Sequence, residues 1–399
     1  MNSQSGLQWL ESLGPQRIRP GLSRTRALLA SLANPQSSFS SILIAGTNGK
    51  GSTAATISAI LAAAGVRAGL YTSPHLVSVT ERIRIGEVDV SSESLDRALA
   101  LVSCVAAPGL RGPTYFEALT VAAFELFRRA RIRTAVVEVG IGGRLDATNV
   151  LSPEVSIVTN VAADHLDVLG PSLEDVAREK AGIFRKGQPA LIGASGTAEG
   201  PRAVLHAEAR RIGARLVEIH PASDVGYSLP GAHQKQNLAL ALAAARAVAP
   251  LDEAAVSRGL AAVRWPGRLQ NLAREGARPL LLDGAHNPAG ALALAEHLDA
   301  TGLSGRVDLL FGGMADKDLP GVFAPLATRA RRVVLAAPES PRAEEPEALR
   351  ARLGRPGLET APSVAEGLAR LESVGGNMPI LVAGSLYLVG EVLRLRSRA

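Results

Sequence analysis

The segment GTNGKGS, residues 46–52, carries the residue types that bind nucleotide phosphates. Glycines let successive backbone N–H groups turn inward around a phosphate, and a following helix adds the positive end of its dipole. Lys50 would reach the β- and γ-phosphates, and the Ser52 hydroxyl would bind Mg²⁺. The segment departs from G-x-x-x-x-G-K-[ST] because Gly51 separates the lysine from the hydroxyl residue. The alternative is a glycine-rich turn between strand and helix that binds no ligand.

Candidate metal ligands follow other strand-like segments. Glu138 ends the apolar segment RTAVVEVG, where a carboxylate beside a phosphate loop can hold Mg²⁺ or its water. His165 follows the strand-like segment 154–161, and Asp164 lies next to it. Ser73, in YTSPHL, is a further oxygen ligand candidate. Each side chain alone is also typical of ordinary strand ends and surfaces, so their shared position after strands is what indicates a site.

Lysine is rare in this chain, because only five of its 43 Lys and Arg residues are lysine. Arginine is the usual cation here, so a lysine marks a place where a compact amine with adjustable pKa and chemistry is useful. Lys50 and Lys180 are the two lysines of most interest. On composition alone, Lys180 is also consistent with a surface ion pair, since Glu179 precedes it.

The remaining composition excludes several classes of protein. The 399 residues, 47% of them hydrophobic, indicate two domains or one large domain with additions. The chain has no run of about 18 apolar residues and no signal-like start, so we expect no membrane span and no signal peptide. The single cysteine, Cys104, fits a reducing, cytoplasmic location. A net charge of +6 with only 3% aromatic residues favours small anionic substrates over nucleic acid.

Apolar segments alternate with amphipathic ones, which predicts an α/β fold with a parallel sheet covered on both faces. The first series predicts strands over 41–46, 133–140 and 154–161, and helices over 52–64, 92–106 and 116–130. A helical run over 234–262 precedes Pro266, and the second series predicts strands over 279–287, 306–313, 331–338 and 378–385. We place the boundary near 264–268, giving domains 1–265 and 266–399.

Taken together, the motifs resemble the folylpolyglutamate synthase/dihydrofolate synthase family, a branch of the Mur-ligase superfamily. In order and spacing the resemblance rests on AGTNGKGS, YTSPHL, TERIRI, TYFEALT, VVEVGIGGRLDATN, DHLDVLG, EKAGIF, WPGRLQ, LLDGAHNP, DKD and AGSLYLVGEV. Gly51, unusual in an ordinary phosphate loop, is typical of this family. The resemblance implies a P-loop-type N-terminal ATP-binding domain with a mostly parallel sheet, and a smaller Rossmann-like C-terminal domain.

The resemblance also implies roles for individual residues by matching position. Lys50, His165 and Lys180 would be catalytic. ATP would be bound by Asn48, Gly49, Lys50, Gly51, Asn237, Arg268 and Asp283. Two Mg²⁺ ions would be bound by Ser52, Ser73, Glu138, His165 and Lys180, the last carrying a carbamate that arginine cannot form. The pterin substrate would contact Gln16, Arg17, Ile18, Arg19, Thr114, Tyr115, Phe116, Glu117, Leu145, Asp146 and Ala147. His286 is expected to face the substrate cleft.

The implied reaction is an ATP-dependent amide ligation. A substrate carboxylate attacks the γ-phosphate, and the α-amine of L-glutamate then displaces phosphate from the acyl phosphate. We favour a bifunctional, monomeric, cytoplasmic enzyme that acts on dihydropteroate and reduced folates, without nucleic-acid or membrane partners. The alternatives are a folylpolyglutamate synthase alone, another Mur-type amide ligase, a nucleic-acid-stimulated NTPase and a non-catalytic nucleotide-binding module.

Overall fold

The computed structural model of the protein describes residues 4–14, 18–106, 112–222, 226–273 and 278–397. The chain separates into two compact units. The first unit comprises Met1–Pro74, Val79–Ser228 and Lys235–Val263, and the second comprises His75–Ser78, Leu229–Gln234 and Arg264–Ala399. Within the described residues, no helix is both long and apolar enough to cross a membrane.

The described part of the first unit is built on an eight-stranded sheet. Its strands are β1 Ser40–Ala45, β2 Ala68–Tyr71, β3 Ile83–Ile85, β4 Val88–Asp89, β5 Thr134–Glu138, β6 Val155–Val158, β7 Pro189–Gly193 and β8 Arg215–Ile219. They lie in the order β4-β3-β2-β5-β1-β6-β7-β8. The neighbouring pairs are parallel apart from β2–β3 and β3–β4. Strands such as β1 and β5 are apolar on both faces because both faces of the sheet are covered.

The helices of the first unit are α1 Gly6–Ser12, α2 Ser23–Ser31, α3 Lys50–Ala63, α4 Ser92–Val105, α5 Tyr115–Arg129, α6 Leu166–Leu169, α7 Leu173–Ala181, α8 Glu199–Ile212, α9 Gln234–Val248 and α10 Glu253–Ala262. The prediction of one helical run over 234–262 is wrong, because α9 ends before Pro250, whose ring cannot continue a helix. Asp252 then caps α10 by accepting a hydrogen bond from the backbone N–H of Ala255.

Strand β1 lies between β5 and β6, and this order positions the candidate site. Ile44 is paired with Glu138 of β5, and Ala45 is paired with Val158 of β6. The carboxyl ends of the three strands therefore meet at one edge of the sheet. That edge, where the connections leave in different directions, is the usual ligand site of an open α/β sheet.

The second unit, in its described part, has a six-stranded sheet in the order β13-β12-β11-β14-β10-β9. Its strands are β9 Gln270–Leu272, β10 Leu280–Leu282, β11 Val307–Phe311, β12 Ala330–Leu335, β13 Glu359–Thr360 and β14 Ile380–Ala383. Its helices are α11 Pro288–Ala300, α12 Leu319–Ala327, α13 Pro346–Leu353, α14 Val364–Glu372 and α15 Leu386–Ser397. The neighbouring pairs are parallel except β9–β10. Two α/β units with mostly parallel sheets confirm the predicted fold class.

Candidate active site

The phosphate loop follows β1 and ends in the first turn of α3. The Nζ group of Lys50 donates hydrogen bonds to the carbonyl oxygens of Gly46 and Thr47, both at 3.0 Å, so the side chain folds back over the loop. Residues after β6 hold the loop from the other side. The Asn48 N–H donates to Asn160 Oδ1 at 2.9 Å, and the Thr159 hydroxyl donates to the Asn48 carbonyl at 2.6 Å. The loop is therefore held in shape by the segment that follows the neighbouring strand.

Asn237 of α9 lies against this loop. Gly49 has a left-handed backbone with φ of 83°, and a Cβ placed there would lie 2.3 Å from Asn237 Oδ1. Glycine at this position is needed both for its backbone conformation and for the close approach of the amide. The structure thus brings together two residues that were predicted to bind ATP from segments far apart in sequence.

We expect Gly49→Ala to weaken ATP binding at least about tenfold, since the new methyl group displaces Asn237. Gly65→Ala is the matched control, because Gly65 follows the other end of α3, also has a left-handed backbone, and has no heavy atom within 4 Å of its added Cβ. In both variants, the left-handed backbone should lower the free energy of unfolding by about 1 kcal/mol. Titration calorimetry with ATP should separate them, and equal affinity in the two variants would contradict a role of Asn237 in nucleotide binding.

The predicted metal ligands Ser73 and Glu138 lie next to each other. The Ser73 N–H donates to Glu138 Oε2 at 3.0 Å, and Glu138 is only 4% exposed at the end of β5. Ser52 is buried in the first turn of α3. His165 precedes α6 with a left-handed φ of 52°, and its Nε2 lies 3.8 Å from Asp164 Oδ1. A strained backbone at a non-glycine residue is a recurrent feature of functional sites.

Lys180 of α7 is a buried lysine, 3% exposed. Burial, together with the nearby charge of Lys50, lowers the pKa of its ammonium group to about 7, although Asp164 opposes the shift. In the part of the chain that the structure describes, Lys180 forms no ion pair. An unpaired buried ammonium group is costly, so this position favours a lysine whose positive charge is removed.

The predicted metal ligands include a single carboxylate, Glu138. Among the described residues, no group of three or more His, Cys, Asp and Glu side chains could hold a metal ion. The predicted set relies instead on the hydroxyls of Ser52 and Ser73, with Glu138 and His165. Mg²⁺ prefers oxygen ligands, and a carbamate on Lys180 would supply two such oxygens.

The loop over 140–149 is held rigidly beside α7. Asp146 accepts hydrogen bonds from the N–H groups of Gly140, Ile141 and Thr148 and from the Thr148 hydroxyl. Burial raises the pKa of the Asp146 carboxyl, although these four donors favour its ionised form. Arg144 fastens the loop to α7, since its guanidinium lies 2.6 Å from Glu179 Oε1. The carboxylate predicted to contact the pterin substrate therefore also shapes its own loop.

The other predicted pterin contacts begin α5. Thr114 caps this helix, and Glu117 completes a capping box by accepting the Thr114 N–H at 2.7 Å. The Phe116 ring lies against Gly140, where an added Cβ would be 2.8 Å from it.

The remaining predicted pterin contacts lie in several segments. Ile18 is exposed, and Leu145 and Ala147 flank Asp146 in the loop. Tyr115 is buried beneath Arg82, whose guanidinium lies 5.6 Å from the ring centre. The predicted contacts Gln16 and Arg17 lie outside the described residues.

In the second unit, Asp283 organises the segment that carries Arg268. Its two carboxylate oxygens accept the backbone N–H groups of Leu269 and Ala285, each at 2.9 Å. The Arg268 guanidinium lies close to Gly284, where an added Cβ would be 2.3 Å from Nη1. His286 contacts the same turn through Nδ1, 2.8 Å from the Gly284 carbonyl. Asp283 and His286 therefore share one turn after β10, and Arg268, which precedes β9, lies against that turn.

The chain matches two Mur-ligase domain families. Residues 44–194 match the Mur ligase middle domain, and residues 267–386 match the Mur ligase, glutamate ligase domain. The dihydrofolate synthase/folylpolyglutamate synthase of Escherichia coli (strain K12) is 35% identical over 405 residues, covering 98% of this chain and 94% of that protein. Both observations point to the same type of ligase.

Solved structures of such proteins share the fold along the whole chain. E. coli FolC in complex with DHPP and ADP gives a TM-score of 0.88 at 33% identity, covering 99% of this chain and 98% of that one. The bifunctional folylpolyglutamate synthase/dihydrofolate synthase of Yersinia pestis, complexed with AMPPNP and Mn ion, gives a TM-score of 0.86 at 31% identity. This match covers 99% of this chain and 98% of that one.

Proposed function

The chain belongs to the folylpolyglutamate synthase/dihydrofolate synthase family of Mur ligases, and from that premise we propose that it adds L-glutamate both to dihydropteroate and to reduced folates. The protein is an ATP-dependent ligase that uses ATP and a divalent metal. One observation supports ligation in particular. Lys180 is buried near Lys50 and Asp164 and has no ion-pair partner among the described residues, which suits a lysine that carries a carbamate.

We assign the nucleotide to the phosphate loop, Asn237, Arg268 and Asp283. Ser52, Ser73, Glu138, His165 and carbamylated Lys180 would hold two Mg²⁺ ions, which would supply charge neutralisation of the transferred phosphoryl group. Residues 1–265 would bind ATP and the pterin substrate, and residues 266–399 would form the glutamate-ligase domain. The monomeric state and the cytoplasmic location stay predictions from the sequence.

The protein's contribution to the chemistry is mainly positioning and charge. The substrate carboxylate attacks the γ-phosphate in line, so ADP leaves and an acyl phosphate forms. Lys50 and the loop N–H groups stabilise the charge that develops on the phosphoryl oxygens. The α-amine of glutamate then attacks the acyl carbon, loses a proton and expels phosphate, which forms the amide. Orientation of the two substrates supplies much of the rate acceleration, because a reaction between separate molecules becomes a reaction within one complex.

A phosphate-release assay with ATP, Mg²⁺ and L-glutamate tests this proposal. We expect release with dihydropteroate and with tetrahydrofolate, each dependent on glutamate. Release with only tetrahydrofolate would indicate a folylpolyglutamate synthase alone. Release with neither would defeat the pterin assignment and favour another Mur-type ligase, and stimulation by polynucleotide without a need for glutamate would favour the nucleic-acid-stimulated NTPase. ATP binding without any release would favour the non-catalytic module.

A further inference from the structure

Arg24 of α2 is a largely shielded arginine that pairs with one of the pterin-site residues. Its Nε donates to Glu117 Oε2 at 3.0 Å, and its Nη2 lies 2.8 Å from Glu117 Oε1. The two side chains are 18% and 4% exposed. A guanidinium that faces both oxygens of a shielded carboxylate forms a stronger and more directional pair than a surface lysine would.

The same guanidinium also reaches the N-terminal pterin segment. Arg24 Nη2 donates to the backbone carbonyl of Arg19 at 2.6 Å. Two residues beyond Arg19, the Gly21 N–H donates to the carbonyl oxygen of Leu145 at 3.1 Å. The short stretch from Arg19 to Arg24 therefore connects predicted pterin contacts of three segments, at Arg19, Glu117 and Leu145.

Glu117 is hydrogen-bonded within the protein through Oε2, while its buried Oε1 accepts no hydrogen bond from the described residues. Oε2 accepts the Thr114 N–H of the capping box as well as the Arg24 bond, and Oε1 faces Arg24. Because Oε2 accepts from both Arg24 and the Thr114 N–H, Glu117 links Arg24 to the first turn of α5. Arg24 controls that position together with the backbone at Arg19.

We infer that Arg24 is a positioning residue for the pterin substrate: it does not touch the substrate, and it holds the first turn of α5 and the backbone at Arg19 in one arrangement. The inference rests on the proposed function. Without the guanidinium, the first turn of α5 and the backbone at Arg19 lose their shared partner. The distance between the predicted pterin contacts on these two segments is then no longer fixed. The nucleotide loop does not depend on Arg24, since residues that follow β6 hold it.

Arg24→Lys keeps the charge but removes the guanidinium that contacts both Glu117 and the Arg19 carbonyl. Arg26→Lys is the matched control, because Arg26 is an exposed residue of the same helix. We expect Arg24→Lys to raise the KM for dihydropteroate about tenfold or more, while the KM values for ATP and glutamate and kcat change less than about threefold. Arg26→Lys should match the wild type. Unchanged KM for dihydropteroate, or an equal rise in all three KM values, would overturn the inference.

A second variant keeps the test independent of folding defects. Glu117→Gln retains a capping-box side chain at this helix position but removes the charge that Arg24 pairs with. If Arg24 acts through Glu117, the double variant should raise the pterin KM less than the product of the two single effects. Independent, multiplicative effects would contradict the mechanism. A wild-type enzyme that uses no pterin would instead refute the proposed function, so the two failures are distinguishable.

Discussion

Lys50→Ala should reduce glutamate-dependent ADP formation at least about a thousandfold, because it removes the side-chain charge that folds over the phosphate loop. The loop N–H groups and the helix dipole remain in the variant, so some ATP binding persists. The loss should therefore fall mainly on kcat. A steady-state assay with saturating ATP, dihydropteroate and glutamate measures it.

Three comparisons separate this loss from misfolding. Lys50 gives two hydrogen bonds to loop carbonyls, worth about 1 kcal/mol each, so the free energy of unfolding should fall by no more than about 2 kcal/mol. Lys50→Met, which keeps the length of the side chain, should be equally inactive. Lys186→Ala removes an exposed lysine and should leave the rate unchanged. A near-normal rate in Lys50→Met would refute the phosphate-loop assignment.

The order of the elements along the chain and the type of fold were predictable, because apolar segments and glycine-rich turns carry that signal locally. The segment around 44–52 shows this, as its strand, loop and helix appear in the structure in the predicted order. Glu138 was also predictable as a strand-end carboxylate, since the strand stops at it. Features such as the phosphate loop and the strand-end carboxylate can be predicted from the residues that adjoin them in the sequence.

The framework around those residues was not predictable in the same way. Asn160 and Thr159 hold the phosphate loop from the end of β6, yet nothing in the sequence TNV marks them as partners of Asn48. Arg24 lies 93 residues before Glu117, and an arginine in an arginine-rich chain carries no signal of its own. Contacts of this kind depend on how separate segments pack, which periodicity does not encode.

Lys180 stands between these two cases. Its sequence neighbourhood, REKAGIF, suited a surface ion pair as well as a buried site. The structure buries it and pairs the neighbouring Glu179 with Arg144 instead, so the surface interpretation is excluded. Lysine scarcity is the useful signal, because it marks this position from the sequence alone.

The second large effect is expected at Lys180, where Lys180→Arg should be as damaging as Lys180→Ala. If the residue acted only as a cation, Lys180→Arg would keep substantial activity, because a guanidinium stays charged at every working pH. A guanidinium cannot take up CO₂ to become a carbamate, so Lys180→Arg would lack the proposed metal ligand. We expect both variants to lose activity at least about a hundredfold.

The proposed carbamate on Lys180 can be tested directly by spectroscopy. In the proposed modification, the neutral amine of Lys180 would attack CO₂, an N–C bond would form, and the proton would pass to water. Only the neutral amine has the required lone pair, and a pKa of about 7 keeps much of Lys180 neutral near pH 7, whereas an ordinary lysine is almost fully protonated there. With ¹³C-labelled bicarbonate, NMR should show a carbamate carbon in the wild type and in Lys186→Arg, and none in Lys180→Arg.

Activity should follow that signal. Enzyme depleted of CO₂ under mild acid should lose both the carbamate resonance and turnover, and bicarbonate should restore both together, because the restored carboxylate-like group again supplies metal ligands. Restoration should fail in Lys180→Arg. A fully active enzyme without the resonance, or high activity in Lys180→Arg, would show that Lys180 acts without a carbamate, and the metal site would then require another anionic ligand.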